Sequence, residues 1–260
     1  FLILIIPFFS FSGNENYAIG GRSTGMGNTG LCLSNVWAIR YNQASLADIS
    51  IISGAISYQN NFLIKSLGIQ SLAFVLPTKS GTFGINYTGV GDNIYKESKI
   101  GVGYGMKLSE KLNLGIRLNY HQLKFGSIYG IKQNLTFEIG LLSKINKKLK
   151  IGLHIFNPLS AKLLDYENEI IPVIYNFGIN YIFSKIVNVN IEFEKDIDTN
   201  PNVKIGMEYM PVKNMYLRAG IETYPMQPSI GFGIIYKKFQ IDISSSFHQT
   251  LGVSPALGIV

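Results

Sequence analysis

"KIGVGYGMKLSEKLNLGIRLNYH", residues 99–121, decides the fold. Ile100, Val102, Tyr104, Met106 and Leu108 alternate with Gly101, Gly103, Gly105 and Lys107. Past Ser109–Lys111 the alternation resumes: Leu112, Leu114, Ile116, Leu118 and Tyr120 stand against Asn113, Gly115, Arg117, Asn119 and His121. Successive side chains of a strand point to opposite faces, so this period of two predicts two strands joined by a tight turn, each with one greasy face. The other face is small and polar. A soluble sandwich would cover it with Lys, Glu and Asp and turn the greasy face inward. Glycine on the non-greasy face suits the reverse arrangement, with lipid outside and a filled lumen within.

The same pattern runs through the chain from about residue 51. "VNVNIEFE", residues 187–194, sets Val187, Val189, Ile191 and Phe193 against Asn188, Asn190, Glu192 and Glu194. About fourteen such segments begin near residues 51, 70, 81, 98, 112, 134, 149, 172, 187, 202, 215, 229, 239 and 251. Most are 8 to 12 residues long, and a tilted strand needs about 9–11 to cross a bilayer. Tyr58, Tyr87, Tyr120, Tyr181, Tyr209 and Tyr236 fall near strand ends on the greasy face, as in an aromatic girdle. Tight connections at 78–80, 109–111, 146–148, 184–186, 211–214 and 237–238 alternate with mostly longer ones at 61–69, 90–97, 125–133, 157–171 and 196–201. Short periplasmic turns opposite longer external loops are the outer-membrane arrangement, and closure leaves no strand edge unpaired in lipid. The predicted fold is all-β: a transmembrane antiparallel β-barrel of about 14 strands over residues 51–260.

The turn at 211–214 tests the register. If Met210 faces Tyr216, then Glu208 faces Arg218 and Lys204 faces Glu222, two opposite-sign pairs on the inner face. Each contributes only about 0.2–1 kcal/mol, so their value lies in supporting the alignment.

Composition agrees. Hydrophobic residues make up 47% of the 260, yet charged ones only 15%, against about 25% in soluble domains. No stretch approaches the ~18 consecutive apolar residues of a spanning helix. Cys32 is the lone cysteine, which excludes an internal disulfide framework and a multi-cysteine metal site. The net charge of +7 comes from lysines clustered at predicted turns, which read as solvated turns beside anionic lipid rather than a nucleic-acid surface. "FLILIIPFFSFS", residues 1–12, reads as the later part of a secretory signal, with Ser10-Phe11-Ser12 as the small-x-small cleavage pattern before Gly13.

Between leader and barrel lies "GGRSTGMGNTGLCLSNVWAIRYNQASLADI", residues 20–49. It lacks the Gly-Lys-Ser/Thr ending of a phosphate loop, and Gly101-Val102-Gly103-Tyr104-Gly105 lies inside a strand pattern with no helix after it. The segment resembles the N-terminal hatch of FadL-like outer-membrane barrels, the long-chain fatty-acid transporter superfamily. Its nearest likeness is to the Bacteroidetes branch that includes the PorV/PorQ-type proteins of type IX secretion. The resembling residues are Gly21–Gly27, Ser34–Ala38, Tyr41-Asn42-Gln43-Ala44 and Leu46-Ala47. Asn35, Gln43 and Ser45 stand where the family usually has Asp, often Pro and commonly Gly.

The resemblance implies that residues 13–50 form a hatch inside the lumen, where irregular backbone is tolerated. Inward glycines at 115, 140, 152, 178, 206, 220, 231 and 233 would leave it room. Arg22 and Arg40 are expected to pair with Glu138, Glu192, Glu194 or Asp242. Asn42 is expected to cap a short turn at Gln43–Ala47. Trp37 reads as packing against the wall, with ligand contact as the alternative. The hatch and lumen candidates are thus Arg22, Trp37, Arg40, Asn42, Glu192, Glu194, Lys204, Glu208, Arg218 and Glu222. In the family, ligands leave sideways through a wall opening near an early strand, and Gly89 and Gly91 are the possible kink sites here.

Enzymatic chemistry is not expected. His121, His154 and His248 fall on different strands without metal-ligand spacing. Asp242, Ser244, Ser246 and His248 occupy successive inward positions of one strand and cannot converge on one centre. Neither cofactor nor metal is implied. The resemblance implies passage or binding of small hydrophobic molecules in the outer membrane. "NPLSAKLLDYENEII", residues 157–171, would cover an external apolar pocket. The alternatives are a non-transporting accessory or docking barrel with type IX secretion components as partners, and a structural barrel.

Overall fold

The structure, a computed structural model, describes residues 17–92, 95–125, 130–159, 171–197 and 199–260, with the backbone alone at Phe125. The signal-like leader 1–12 and residues 160–170 of the long connection lie outside the described residues. Fourteen strands among the described residues close into one antiparallel barrel, each paired with its neighbours in sequence and β1 with β14. They are β1 (Ser53–Asn60), β2 (Gly68–Pro77), β3 (Thr82–Gly91), β4 (Tyr95–Lys107), β5 (Leu112–Phe125), β6 (Ile131–Lys144) and β7 (Leu149–Phe156). Then follow β8 (Ile174–Ser184), β9 (Val187–Asp196), β10 (Asn202–Val212), β11 (Met215–Thr223), β12 (Met226–Tyr236), β13 (Phe239–His248) and β14 (Gly252–Ile259).

Each segment predicted from the period of two is a strand. Along β5, Ile116 and Leu118 are 43% and 55% exposed, while Arg117 and Asn119 between them are 1% and 0%. The greasy face points out and the polar face in. β4, β5 and β6 run 13, 14 and 14 residues, longer than expected.

Six tight turns share one end of the barrel with the start of β1 and the end of β14, and the longer connections share the other. The register at β10–β11 sets Lys204 opposite Glu222 and Glu208 opposite Arg218, as the sequence predicts. The match stops at Tyr209. Between there and Val212 the pairing shifts, so Met210 and Tyr216 fall at an irregularity beside the turn.

Residues 17–50 fold inside the barrel as two one-turn helices, α1 (Gly21–Thr24) and α2 (Ala38–Tyr41), followed by a 3-10 turn at Gln43–Asp48. A segment this short in regular structure holds its shape through the wall around it. Its glycines serve that fit: Gly20, at φ 90, lies flat against the Trp37 indole.

Candidate functional site: the filled lumen

The interior segment meets the wall in two ways. On β5 and β10–β12 inner glycines receive backbone of the segment, and on β6–β8 they receive its side chains. Gly115 lies against Gln43 and Ala44, Gly140 against Asn42, and Gly152 against Cys32. Gly178 meets Leu31, Gly206 meets Met26, Gly220 meets Met26 and Gly27, and Gly231 meets Gly25. A Cβ at Gly115 or Gly220 would run into main chain. Gly233, the last of the inward glycines predicted, instead makes room for Arg218 and Asp242. Along β1–β2 the contact is mainly apolar: Ile19, Val36, Trp37, Ile39 and Leu46 pack on Ala55, Ala73 and Val75, joined at β1 by hydrogen bonds from the Gly20 N–H to Ser57 at 3.3 Å and from Thr24 to Gln59 at 3.4 Å. Trp37, 2% exposed, is a packing residue of this cluster.

Polar groups hold the segment in register. Asn42 caps the turn at Gln43–Asp48, its side chain accepting from the Ala44 N–H at 3.1 Å, and donates to the Leu141 carbonyl at 3.0 Å. Glu192 accepts both the Gly30 and Leu31 N–H groups at 2.8 Å. Asn28 donates to Glu222 at 2.7 Å. The N–H of Trp37 donates to the Asn35 side chain at 2.9 Å, so Asn serves where Asp is usual. The Cys32 thiol faces Gly178, and burial pushes its pKa up.

Arg22 departs from expectation. It pairs with Glu208 rather than with Glu138, Glu192, Glu194 or Asp242, through Nε at 2.9 Å and Nη2 at 2.6 Å. Burial opposes its charge, but Glu208 outweighs that and holds the guanidinium pKa above its ordinary value. Arg218 bridges the same Glu208 and Asp242, each at 2.7 Å. The register explains the choice, because Glu208 sits opposite Arg218 and both face α1. Lys204 bonds Glu194 at 2.9 Å rather than the Glu222 opposite it, and Glu222 is engaged by Asn28 and Asn202. Arg40 makes no ion pair among the described residues. It donates to the Tyr17 carbonyl at 3.3 Å.

Sequence reading did not single out the densest cluster. Glu138, fully buried, accepts from Arg117 at 3.2 Å, Asn119 at 2.8 Å and Gln43 at 2.8 Å, with His154 at 3.1 Å and Lys99 at 3.7 Å. Arg117 also donates to Asn86 at 2.6 Å. Arg117 faces Glu138 across β5–β6. The connection between those strands is long, so no turn length fixes their register, whereas the turn at 211–214 fixes that of β10–β11.

Gly89 and Gly91 do not break the wall. β3 keeps its pairing with β2 and β4 through Gly89, which points outward under the Tyr87 ring. Gly91, at φ 100, serves the connection to β4.

A cavity of about 20 Å³ lies between the interior segment and β3–β5, lined by Ile19, Arg40, Val90, Lys99, His121 and Leu123. Above it, at the loop end, Leu123, Phe156, Ile171 and Ile174 form an apolar cluster. On the outer wall a groove of about 590 Å³ runs over β1–β3, and Gly54, Ala55, Leu72, Ala73 and Phe74 are among its lining residues.

The fold has counterparts of known structure. The CymD monoaromatic hydrocarbon channel superimposes with a TM-score of 0.66 at 13% identity, over 93% of this chain and 96% of that one. The fold is FadL-like. The Pseudomonas putida toluene transporter TodX gives 0.66 at 12% identity, over 92% and 95%. A Pseudomonas aeruginosa FadL homologue gives 0.63 at 12%, over 92% and 96%. No family model and no curated protein matches the chain. At such identities the likeness is one of architecture, and the FadL-like fold says how the lumen is built rather than what crosses it.

Proposed function

We propose that this chain is an outer-membrane barrel, residues 51–260 forming its wall and residues 13–50 its plug, that takes up small hydrophobic molecules. The supporting observation is a run of apolar groups linked by shared residues. Leu123 belongs both to the loop-end cluster and to the cavity lining. Ile19 lines the cavity and packs in the Trp37 cluster. Ala55 and Ala73 belong to that cluster and also line the outer groove. A cavity of about 20 Å³ holds one water rather than a hydrocarbon. Passage therefore needs the plug to yield, and it yields first on the β1–β2 side, held mainly by non-directional apolar contact with two hydrogen bonds, of 3.3 and 3.4 Å, to Ser57 and Gln59. The solute then leaves sideways into lipid between β1 and β2. Monoaromatic hydrocarbons, the solutes named for the fold neighbours CymD and TodX, are the class to test first.

Cells lacking their own hydrocarbon channel provide the test. Expression of this chain is expected to raise toluene uptake several-fold, and Ala73→Trp to return it to the empty-vector level while the folded barrel persists on gels. A folded barrel that gives no gain in uptake overturns the reading. A second reading, an accessory or docking barrel of the type IX secretion system, is favoured by the ion-paired lumen of Arg22, Glu208, Arg218 and Asp242. Affinity purification in gentle detergent would then recover secretion components, and recovery of the barrel alone counts against it.

A further inference from the structure

The positive charge of this chain is not spread over it. Each of the six tight turns carries at least one exposed lysine. Lys79 lies on the β2–β3 turn, and Lys107 and Lys111 flank the β4–β5 turn. Lys147 and Lys148 lie on the β6–β7 turn and Lys185 on the β8–β9 turn. The β10–β11 turn adds Lys213, and the β12–β13 turn adds Lys237 and Lys238. The turns occupy six of the seven strand gaps at this end, so the nine lysines ring the barrel except at the β14–β1 seam. Among the described residues none of them lies within 4.0 Å of a carboxylate. Glu110 is the acid exposed beside them, since Asp48 is engaged by Lys144 and Asn113. The opposite end mixes both signs, with Lys65, Lys96, Lys124 and Lys132 beside Asp92, Glu97 and Asp196. Among the described residues the positive excess therefore lies at the turn end.

We propose that this ring binds the anionic headgroups of the phospholipid leaflet around the turn end. Two observations select lipid over an acidic protein. The lysines stand beside exposed apolar side chains of the outer wall: Lys107 next to Leu108, Lys185 next to Ile186, Lys213 next to Val212, and Lys238 next to Phe239. Lys237 Nζ lies 5.4 Å from the centre of the Tyr236 ring. Amines directly beyond a greasy band, with their alkyl stems along it, fit the boundary between acyl chain and phosphate. The ring also encircles the barrel up to that seam, as a leaflet does, whereas a protein partner docks on one sector. The turn end carries the start of β1 and the end of β14, which in outer-membrane barrels is the periplasmic, phospholipid side. The proposal rests on the membrane reading above, not on what crosses the lumen.

The intact barrel in nanodiscs of equimolar phosphatidylglycerol and phosphatidylcholine provides the test, with retained lipid read by native mass spectrometry. At about 0.1 M salt, the retained ratio of phosphatidylglycerol to phosphatidylcholine should exceed the bulk ratio roughly fivefold, the factor one lysine near an anionic surface supplies, and fall toward parity at about 1 M. Replacing Lys147, Lys148, Lys185, Lys213, Lys237 and Lys238 by Gln, which leaves Lys79, Lys107 and Lys111, should lower the preference without changing the folded mobility on gels. Lys65→Gln with Lys124→Gln and Lys132→Gln, at the other end, should leave it intact. Wild-type retention at the bulk ratio, or an unchanged preference in the six-lysine variant, overturns the proposal. If periplasmic acidic protein binds through these lysines while lipid retention stays at parity, the partner is protein and the lipid assignment falls. Failed toluene uptake with intact lipid preference overturns the transport reading alone.

Discussion

The two sides of the interior segment are held by different physics. Along β5–β8 and β10–β12 glycines let the segment lie close on the wall, main chain on main chain at Gly115, Gly220 and Gly231 and through side chains at Gly140, Gly152 and Gly178, and polar groups such as Glu192 and Asn42 fix the position. Along β1–β2 the same segment rests on Ala55, Ala73 and Val75 through apolar side chains. The glycine side is rigid and directional, because an atom added at Gly115, Gly206 or Gly220 meets backbone and the hydrogen bonds of Glu192 and Asn42 have fixed geometry. The apolar side gains from burial in no particular direction and tolerates sliding. On the proposed function, a plug fixed on one side and yielding on the other would open as a hinged door does, toward the wall that carries the outer groove.

The largest way to break this contrast is Gly220→Leu. The side chain would occupy the place of Met26 and Gly27, and its cost should exceed the ~1–3 kcal/mol of ordinary overpacking because main chain cannot step aside. Cys32 reports the outcome. It is 2% exposed, and burial holds its thiol protonated, so maleimide should react slowly in the wild type. In Gly220→Leu, labelling should rise roughly tenfold or more as the segment is displaced. Unchanged labelling in a folded Gly220→Leu barrel would show that the glycine side is not rigid.

Glu138→Ala comes next. It leaves Arg117 buried without its carboxylate, and removing one partner of such a pair costs about 3–5 kcal/mol. Glu138→Gln keeps the acceptor for Asn119 and should cost less. Denaturant midpoints in lipid for both variants decide between a structural hub and a dispensable cluster. A Glu138→Ala midpoint equal to wild type would remove Glu138 as an anchor of Gln43 and the turn it starts.

Most of the wall was legible in the sequence because lipid outside and a filled lumen inside impose a strict period of two, visible in "LNLGIRLNYH" without any partner strand. The glycines that receive the interior segment were legible for the same reason, as residues 115 to 233 fall on the inner face. What faces what inside the lumen was not. Arg22 chose Glu208, and Arg117 chose Glu138, across distances that depend on strand stagger around the barrel. Turn length fixes that stagger at 211–214 but not at 125–133, and there the sequence offered Glu138 only as a partner for Arg22 or Arg40. The expected kink at Gly89 failed because an outward glycine can be covered by a neighbouring ring, here Tyr87, without loss of pairing.

The smallest change probes the yielding side directly. Val75 is fully buried between the wall and the Trp37 cluster, with no hydrogen bond resting on its side chain. Val75→Ala should lower stability by only about 1–2 kcal/mol, the transfer cost of the methyls plus a small cavity. Cys32 labelling should stay near the wild-type rate, because the glycine side still seats the segment. Toluene uptake should rise, since the door swings on a thinner contact. Loss of uptake together with fast labelling would mean that the apolar contact is what seats the segment, and the two sides would exchange roles.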